Sequence, residues 1–274
     1  MTADKNASPQ LTVFIGSLEE KSDEFYRKNK NILPHIARVL LVATFLEDGL
    51  RILTQFEMQR RYIAGVWACG LFVSSALIVI SVFCQLVPAG LILFRRYVDV
   101  ACLALIFEVF FQRFIYNIAW DEMIPNEFAR IGAVLLLLAE ACNDANAVPI
   151  LYKAADHYVD LQNLTNWLQL AGRVFLAFSV EFGITPLQII KLIVGFSLAI
   201  LIIIGYKTKL SATVLACWLT LFNFYKVISG WMHNEIMEIL IYGFFLNITV
   251  VGGLLNVIAL GPGTKSIDSK KKYW

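Results

Sequence analysis

The sequence predicts an all-α membrane protein, a polytopic bundle of about eight transmembrane helices arranged as two parallel four-helix repeats. Three observations predict it: an apolar composition, an internal repeat and an asymmetric distribution of positive charge. Of the 274 residues, 58% are hydrophobic and only 16% are charged, whereas soluble domains average about 45–50% apolar and about 25% charged residues. This composition is typical of a chain that has the bilayer as its solvent.

Apolar runs of about 17–25 residues can cross a bilayer as helices, and they place the predicted spans. Pro34 opens the first span, because proline is tolerated in a first helical turn. Residues before it are polar, hold a short amphipathic piece, Leu11–Phe25, and show no cleavable signal peptide, so the first span is expected to act as the insertion signal. The spans are residues 35–54, 62–86, 97–118, 127–142, 167–184, 187–205, 209–229 and 236–260.

Matching segments recur in the same order in the two halves of the chain. Arg38-Val-Leu-Leu matches Arg173-Val-Phe-Leu, and Ile131-Gly-Ala-Val matches Val251-Gly-Gly-Leu, at offsets of 135 and 120 residues. An even number of helices per half returns the chain to its starting side, so the repeats are predicted to be parallel and related by an axis along the membrane normal. The predicted segments are 1–34 (cytosolic), 35–142 (first repeat), 143–166 (cytosolic linker), 167–260 (second repeat) and 261–274 (cytosolic tail).

Two small-residue pairs, Gly132-Ala133 and Gly252-Gly253, lie near the middle of predicted helices. Glycine at such positions lets neighbouring helix backbones approach closely. We therefore interpret both pairs as packing positions and assign them no chemistry.

Positive charge is unevenly distributed between the predicted loops. If the N-terminus is cytosolic, fourteen Lys and Arg residues lie on cytosolic segments, against two, Arg60 and Arg61, on the luminal loops. Cytosolic loops of membrane proteins carry such an excess of Lys and Arg. The distribution predicts that both termini face the cytosol.

The chain ends in Lys270-Lys271-Lys272-Tyr273-Trp274, so that Lys271 and Lys272 stand fourth and third from the end. This register resembles the dilysine retrieval signal that the COPI coat binds. Such a signal indicates a protein that leaves the endoplasmic reticulum and is returned to it. The alternative is a solvated basic tail that anchors at anionic lipid headgroups.

Charged residues lie within the first predicted span. Glu47 and Arg51 are spaced i, i+4 and share one helix face, which predicts a structural ion pair. A charge buried alone in lipid costs several kcal/mol, so these residues and Asp48 are expected to face the bundle interior or a cavity. Two interpretations remain open: buried ion pairs that fix the helix register, or, for Glu47 and Asp48, the lining of a cavity.

Further acids are predicted at the same, luminal, side of the membrane. Glu181 lies in the matching helix of the second half, and Trp120, Asp121 and Glu122 follow the third span. Together with Glu47 and Asp48 they would give a lumen-facing mouth a negative field, and these six residues are the candidates for ligand binding.

Several motifs resemble the Surfeit locus protein 4 family. They are Leu33-Pro-His-Ile-Ala-Arg, Thr44-Phe-Leu-Glu-Asp-Gly, Gly205-Tyr-Lys-Thr-Lys-Leu, Ala259-Leu-Gly-Pro-Gly and the terminal lysines with Trp274. The similarity runs from about residue 25 to the end, and the four-helix halves also resemble, more distantly, the DoxX-like membrane fold.

The resemblance implies a non-enzymatic cargo receptor that cycles between the endoplasmic reticulum, the intermediate compartment and the Golgi. It would select soluble secretory proteins in the lumen, often by short hydrophobic sequences near their N-termini, and connect them to the COPII coat. The alternatives are a small-molecule or lipid transporter, since repeats with buried charges suit alternating access, and an accessory subunit of a membrane redox system. Whether the chain forms homo- or hetero-oligomers stays open.

Other functional classes have no support in the sequence. His35, His157 and His233 are scattered without a zinc or haem spacing, so we expect no metal and no cofactor. The chain has no nucleotide-binding glycine motif. Its basic residues are dispersed over the loops, which gives no support to nucleic-acid binding.

Overall fold

A computed structural model describes residues 9–118, 124–143, 161–178, 186–232 and 236–261, and all regular structure in these residues is helical. Ten helices occur there: α1 Pro9–Asn29, α2 Leu33–Thr54, α3 Phe56–Trp67, α4 Leu71–Leu93, α5 Val98–Ile115, α6 Ile124–Asn143, α7 Leu161–Phe178, α8 Pro186–Ile204, α9 Thr208–Met232 and α10 Met237–Leu260. The amphipathic N-terminal piece is the longer helix α1, and each of the eight predicted spans overlaps one of the helices α2 and α4–α10.

The predicted second span, residues 62–86, is wrong in its position. Residues 62–67 belong to the short helix α3, which ends where Ala68 takes the left-handed conformation with φ of 46°. Gly70 is extended and caps α4, which continues to Leu93. The 12 residues of α3 are too few to cross a bilayer, so it lies outside the spanning set.

The described residues at both ends of the predicted linker, residues 143–166, are helical. Helix α6 includes Asn143, and α7 begins at Leu161, six residues before the predicted start of the fifth span. Leu161–Asn166 is therefore helical. Residues 144–160 lie outside the described part of the chain.

Glycine follows the ends of two long helices. Gly205, with φ of 75°, follows α8, and Gly261, with φ of 80°, follows α10. The Gly261 N–H donates to the Val257 carbonyl at 3.0 Å, which pairs one of the carbonyls that a helix end leaves free. Glycine adopts this left-handed region without the steric cost that a Cβ brings.

The exterior of the helices is apolar. Within the described ranges three helices, α4, α9 and α10, are long and apolar enough to cross a membrane by themselves. Large hydrophobic side chains face outwards, among them Phe72, at 86% exposure, and Leu221, at 70%. Such a surface is stable in lipid and not in water, so the chain is a polytopic helical membrane protein.

The two halves of the chain have the same order of helix neighbours. In the first half α2 contacts α4, α4 contacts α5, α5 contacts α6, and α6 returns to α2. In the second half α7 contacts α8, α8 contacts α9, α9 contacts α10, and α10 returns to α7. The halves meet through α2 with α10, α6 with α7, and α6 with α10.

Helices α2 and α10 approach closely at the interface between the halves. A Cβ placed on Gly252 would lie 2.7 Å from the Leu40 Cβ and 2.8 Å from the Leu41 backbone nitrogen. Hydroxyl groups bond across the same interface, with Thr44 and Thr249 2.6 Å apart. In lipid there is no hydrophobic driving force between helices, so close packing at small residues and interhelical hydrogen bonds hold the helices together.

Helices α6 and α7 meet in the corresponding way. A Cβ on Gly132 would lie 3.0 Å from the Phe175 Cβ and 3.1 Å from both the Gly172 carbonyl oxygen and the Leu176 nitrogen. Gly132 and Gly252 are the equivalent residues of the sequence repeat, and both have the close-packing role that the sequence predicts.

Helix α1 packs along α9 at the end of the bundle where α2 begins. Lys209 forms an ion pair with Asp23 at 3.0 Å, and its Nζ lies 4.6 Å from the centre of the Tyr26 ring. The Tyr26 hydroxyl donates to the Ala259 carbonyl at 3.2 Å. These contacts tie the polar N-terminal segment to the second half.

Candidate functional site

A buried polar cluster lies inside the first half, around Asp48 of α2. Gln85 of α4 donates from Nε2 to Asp48 Oδ2 at 2.8 Å, and Gln112 of α5 donates to the same oxygen. Arg51 donates to Oδ1, and Arg130 of α6 lies 3.9 Å from Oδ2. Four helices thus send a side chain to one carboxylate, and we call these five residues the Asp48 cluster.

Further charges extend the cluster along α5 and α6. Arg130 donates to Gln112 Oε1 at 3.0 Å and to Glu127 Oε1 at 2.7 Å. Arg113 lies 3.6 Å from the same Glu127 oxygen. Each charge of this set therefore has an opposite charge or an amide beside it.

The burial of the Asp48 carboxylate determines whether it can bind a ligand or only fix the packing of the helices. Asp48 is 3% exposed and Arg130 is 6% exposed. A carboxylate at such depth is stable only with donors on its oxygens, and both oxygens of Asp48 have them. The geometry suits fixation of the α2, α4, α5 and α6 register, the first of the two sequence interpretations, and leaves no Asp48 oxygen exposed to a ligand.

A second buried acid lies deeper in the same half. Glu108 of α5 is 1% exposed and accepts a hydrogen bond from the Ser81 hydroxyl of α4 at 2.5 Å. It bonds α4 to α5 one or two turns away from the Asp48 cluster.

Glu47 faces a groove between α2 and α10. Its Oε1 lies 3.3 Å from Arg51 Nε, so the structure places the predicted pair in contact. The groove has a volume of about 570 Å³. We call it the α2/α10 groove, and its lining consists of Val39, Ala43, Leu46, Glu47, Leu50, Arg51, Thr54, Gln55, Glu238, Ile241 and Phe245.

The groove is polar at one end only. Gln55, at the end of α2, donates to Glu238 of α10 at 2.9 Å. The Arg51 guanidinium lies 5.8 Å from the centre of the Tyr242 ring. Away from this end the lining is aliphatic or aromatic.

Helix α3 contributes exposed charges at the same end of the molecule. Glu57 accepts hydrogen bonds from Arg60 at 2.9 Å and Arg61 at 3.0 Å. These bonds hold the pKa of Glu57 below its ordinary value. Among the described acids at this end, Glu47, Asp48, Glu57 and Glu127 are paired with arginines. Glu238 accepts a hydrogen bond from Gln55.

The remaining sequence-predicted site residues lie outside the described part of the chain. They are Trp120, Asp121, Glu122 and Glu181, together with Lys271 and Lys272 of the tail.

Sequence reasoning missed the partners of Asp48. Gln85, Gln112 and Arg130 were not singled out, nor was Glu238 at the groove. One signal was present: Gln85 is the only amide in the apolar helix α4, and a polar residue inside a membrane span is a candidate site by default.

No metal or cofactor site emerges from the described ranges. No three His, Cys, Asp or Glu side chains there are placed to hold an ion. The five cysteines are free thiols, two of them buried.

Comparison with known proteins covers nearly the whole chain. The SURF4 family model matches residues 12–274. Surfeit locus protein 4 homolog of Drosophila melanogaster is 37% identical over 95% of this chain and 98% of its own length. ER-derived vesicles protein ERV29 of Saccharomyces cerevisiae is 28% identical over 90% of this chain and 79% of its own. No solved structure matches the chain. With a family match that extends over residues 12–274 and a relative of this identity, the chain belongs to the SURF4 family.

Proposed function

We propose that this protein is a cargo receptor that selects soluble luminal secretory proteins for COPII-dependent export from the endoplasmic reticulum to the Golgi. Membership of the SURF4 family carries the proposal. The similarity to a protein named for vesicles derived from the endoplasmic reticulum supports the compartment. The receptor works without catalysis or a cofactor.

We further propose that eight of the helices span the membrane, as two parallel repeats of α2, α4, α5, α6 and α7, α8, α9, α10. The identical order of neighbours in the two halves supports it. So does the side-chain amide of Asn256, which donates to the Leu136 carbonyl at 3.1 Å. These two residues are equivalent in the repeat, as expected where a two-fold axis passes between halves.

The proposed topology has both termini in the cytosol. The fourteen-to-two distribution of Lys and Arg supports it. The end of the bundle with α3, the Asp48 cluster and the polar end of the groove is then luminal, and α1 is cytosolic. The tail presents Lys271 and Lys272 to the COPI coat, which returns the receptor.

Cargo recognition is proposed at the luminal end. A client N-terminus offers a positive charge, and capture of an N-terminal amine is a known recognition mode. Of the six candidates, Asp48 is enclosed and would position α2 rather than contact cargo. Direct contact would then come from Asp121 and Glu122 beside Trp120, and from Glu181, while Glu47 lines the α2/α10 groove.

Depletion and rescue would test the function. Cells that lack this protein should retain a subset of soluble secretory proteins in the endoplasmic reticulum, and the wild-type chain should restore their secretion. The double substitution Asp121→Asn, Glu122→Gln should restore less secretion and cross-link less to a cargo N-terminal peptide. Glu57→Gln is the matched control, because Glu57 is an exposed acid at the same end that is already paired with arginines.

Two results would count against the proposal. Unchanged secretion after depletion, with an altered lipid or redox state, would favour one of the alternative functions. Full cross-linking in the Asp121/Glu122 variant at normal expression would show that these two acids do not bind the cargo N-terminus. It would not contradict the receptor function.

A further inference from the structure

The α2/α10 groove has the length and polarity of one membrane leaflet. Its lining on α2 extends from Val39 to Gln55, which is about 24 Å at 1.5 Å per residue. Half of a bilayer, headgroups included, is about 20–22 Å. Arg51, Thr54 and Gln55 lie toward the end of α2, where a headgroup would be. Glu47 lies at the middle of this lining, and Val39, Ala43 and Leu46 on its other side are apolar.

The apolar walls of the groove face the membrane. Val39 is 51% exposed, Leu50 is 56% exposed and Ile241 is 41% exposed. The groove volume of about 570 Å³ falls within the range of small-molecule sites, about 300–1,000 Å³. An acyl chain that lies between α2 and α10 would cover these walls.

The middle of the groove holds a buried acceptor that has no donor among the described residues. The Glu47 side chain is 8% exposed. Its Oε1 faces Arg51, but its Oε2 is buried and no donor reaches it from the described residues. A buried acceptor without a donor costs free energy, so a ligand that brings an N–H group to this point would be favoured.

We propose that the groove binds a phospholipid with a primary-amine, ethanolamine-type headgroup from the adjoining leaflet, which is the luminal leaflet in the proposed topology. The ammonium donates to Glu47 Oε2. The phosphate approaches the Arg51 guanidinium, whose side chain is 28% exposed. A choline headgroup has no N–H to donate, and a serine headgroup adds a carboxylate that Glu47 repels.

A cargo peptide fits the groove less well. Its ammonium could also reach Glu47, but its backbone would then extend along Leu46 and Val39 at hydrocarbon depth. Each backbone polar group left unpaired in lipid costs several kcal/mol, and the apolar lining has few groups to pair it. An acyl chain has no such groups.

Photo-cross-linking in bilayers tests the proposal. The full-length protein is reconstituted in vesicles that contain equal amounts of ethanolamine and choline phospholipids, one of the two bearing a photoreactive acyl chain. We expect ethanolamine-lipid cross-links to concentrate on groove residues of α2 and α10, with a preference over choline lipid of about tenfold, which corresponds to about 1.4 kcal/mol.

Two pairs of variants make the result specific. Glu47→Gln should abolish the headgroup preference. This substitution leaves Arg51 its other partner, Asp48. Its control, Glu57→Gln on exposed α3, should retain the headgroup preference. Ala43→Phe fills the groove and should lower cross-linking of both lipids there, whereas Val79→Phe on the outer face of α4 should not.

Three results would overturn the proposal: equal labelling by both lipids over all exposed helix faces, an unchanged preference in Glu47→Gln, or displacement of the bound lipid by a cargo N-terminal peptide. The first would indicate bulk lipid only, the second would show that Glu47 does not set the headgroup preference, and the third would make the groove a peptide site. Normal secretion in an Ala43→Phe variant that has lost lipid cross-linking in the groove would leave the receptor proposal intact.

Discussion

Gly252 sets the distance between α2 and α10, so its replacement by alanine should weaken the contact between the two halves. The new Cβ would lie 2.7 Å from the Leu40 Cβ, 2.8 Å from the Leu41 nitrogen and 3.0 Å from the Ala37 oxygen. Carbon atoms in ordinary contact are about 3.5–4.0 Å apart. Because two of the three neighbours are backbone atoms, no rotamer change relieves the clash, and α2 must move back by about 1 Å.

The cost has two parts. Over-packing of a well-packed site costs about 1–3 kcal/mol. The displacement also stretches the bond between Thr44 and Thr249 and the bond from Thr249 to the Leu40 carbonyl, at 2.6 and 3.1 Å. Interhelical hydrogen bonds in membranes contribute about 0.6 kcal/mol each. We expect Gly252→Ala to lower the free energy of unfolding by about 2–4 kcal/mol.

Gly243→Ala is the control on the same helix. The nearest atom to its Cβ is Lys226 Nζ at 3.6 Å, an ordinary contact, so alanine there should be neutral or stabilise α10 by up to about 1 kcal/mol. Gly132→Ala, with closest distances of 3.0 to 3.1 Å, should fall between the two. Tryptophan fluorescence during titration of detergent micelles with SDS measures the unfolding. Equal unfolding free energies for Gly252→Ala and Gly243→Ala would refute the close approach of α2 and α10.

Three further predictions address the Asp48 cluster, the tail and the topology. Asp48→Ala should lower the free energy of unfolding by about 3–5 kcal/mol, because it leaves Gln85 and Gln112 without their acceptor and removes one partner of Arg51. The control Glu57→Ala, at an exposed residue, should change this free energy by about 0.5 kcal/mol or less. Equal effects of the two substitutions in the same titration would argue against the cluster. The double variant Lys271→Ser, Lys272→Ser should move from the endoplasmic reticulum to the Golgi at unchanged stability, and a wild-type distribution by microscopy would exclude retrieval by these lysines. Asn163, in an Asn-Leu-Thr acceptor sequence on the proposed cytosolic side, should carry no glycan, and a mass shift on endoglycosidase treatment would place it in the lumen.

Helix positions could be predicted from hydropathy where a polar or glycine-containing segment bounded the apolar run. The end of α10 at Gly261 and that of α8 at Gly205 are of this kind. The break between α3 and α4 could not be predicted, because residues 62–67 are largely apolar and continue the hydropathy of the span after them. The chain turns there through the left-handed conformation of Ala68, which sequence does not signal.

Only those contacts of the site that depend on local sequence spacing could be predicted. The pair of Glu47 and Arg51 follows from helix periodicity, since residues four apart share a face. The bonds from Gln85 and Gln112 to Asp48 span 37 and 64 residues, and no local pattern specifies which buried amide meets which acid. The groove depends on how α2 lies against α10, at the opposite end of the chain, and is a property of the tertiary packing alone.

The dependence of Asp48 on later helices has a consequence for biosynthesis. On insertion, a charged residue costs about 2.5–3.5 kcal/mol at the centre of a helix, and α2 is made before the partners of Asp48 on α4, α5 and α6 exist; only Arg51 is made with it. Gln112 emerges 64 residues after Asp48, a delay of about 3–13 s at about 5–20 residues per second. During that interval α2 is a poor match for lipid. We therefore expect α2, α4 and α5 to enter the lipid as a group rather than one helix at a time.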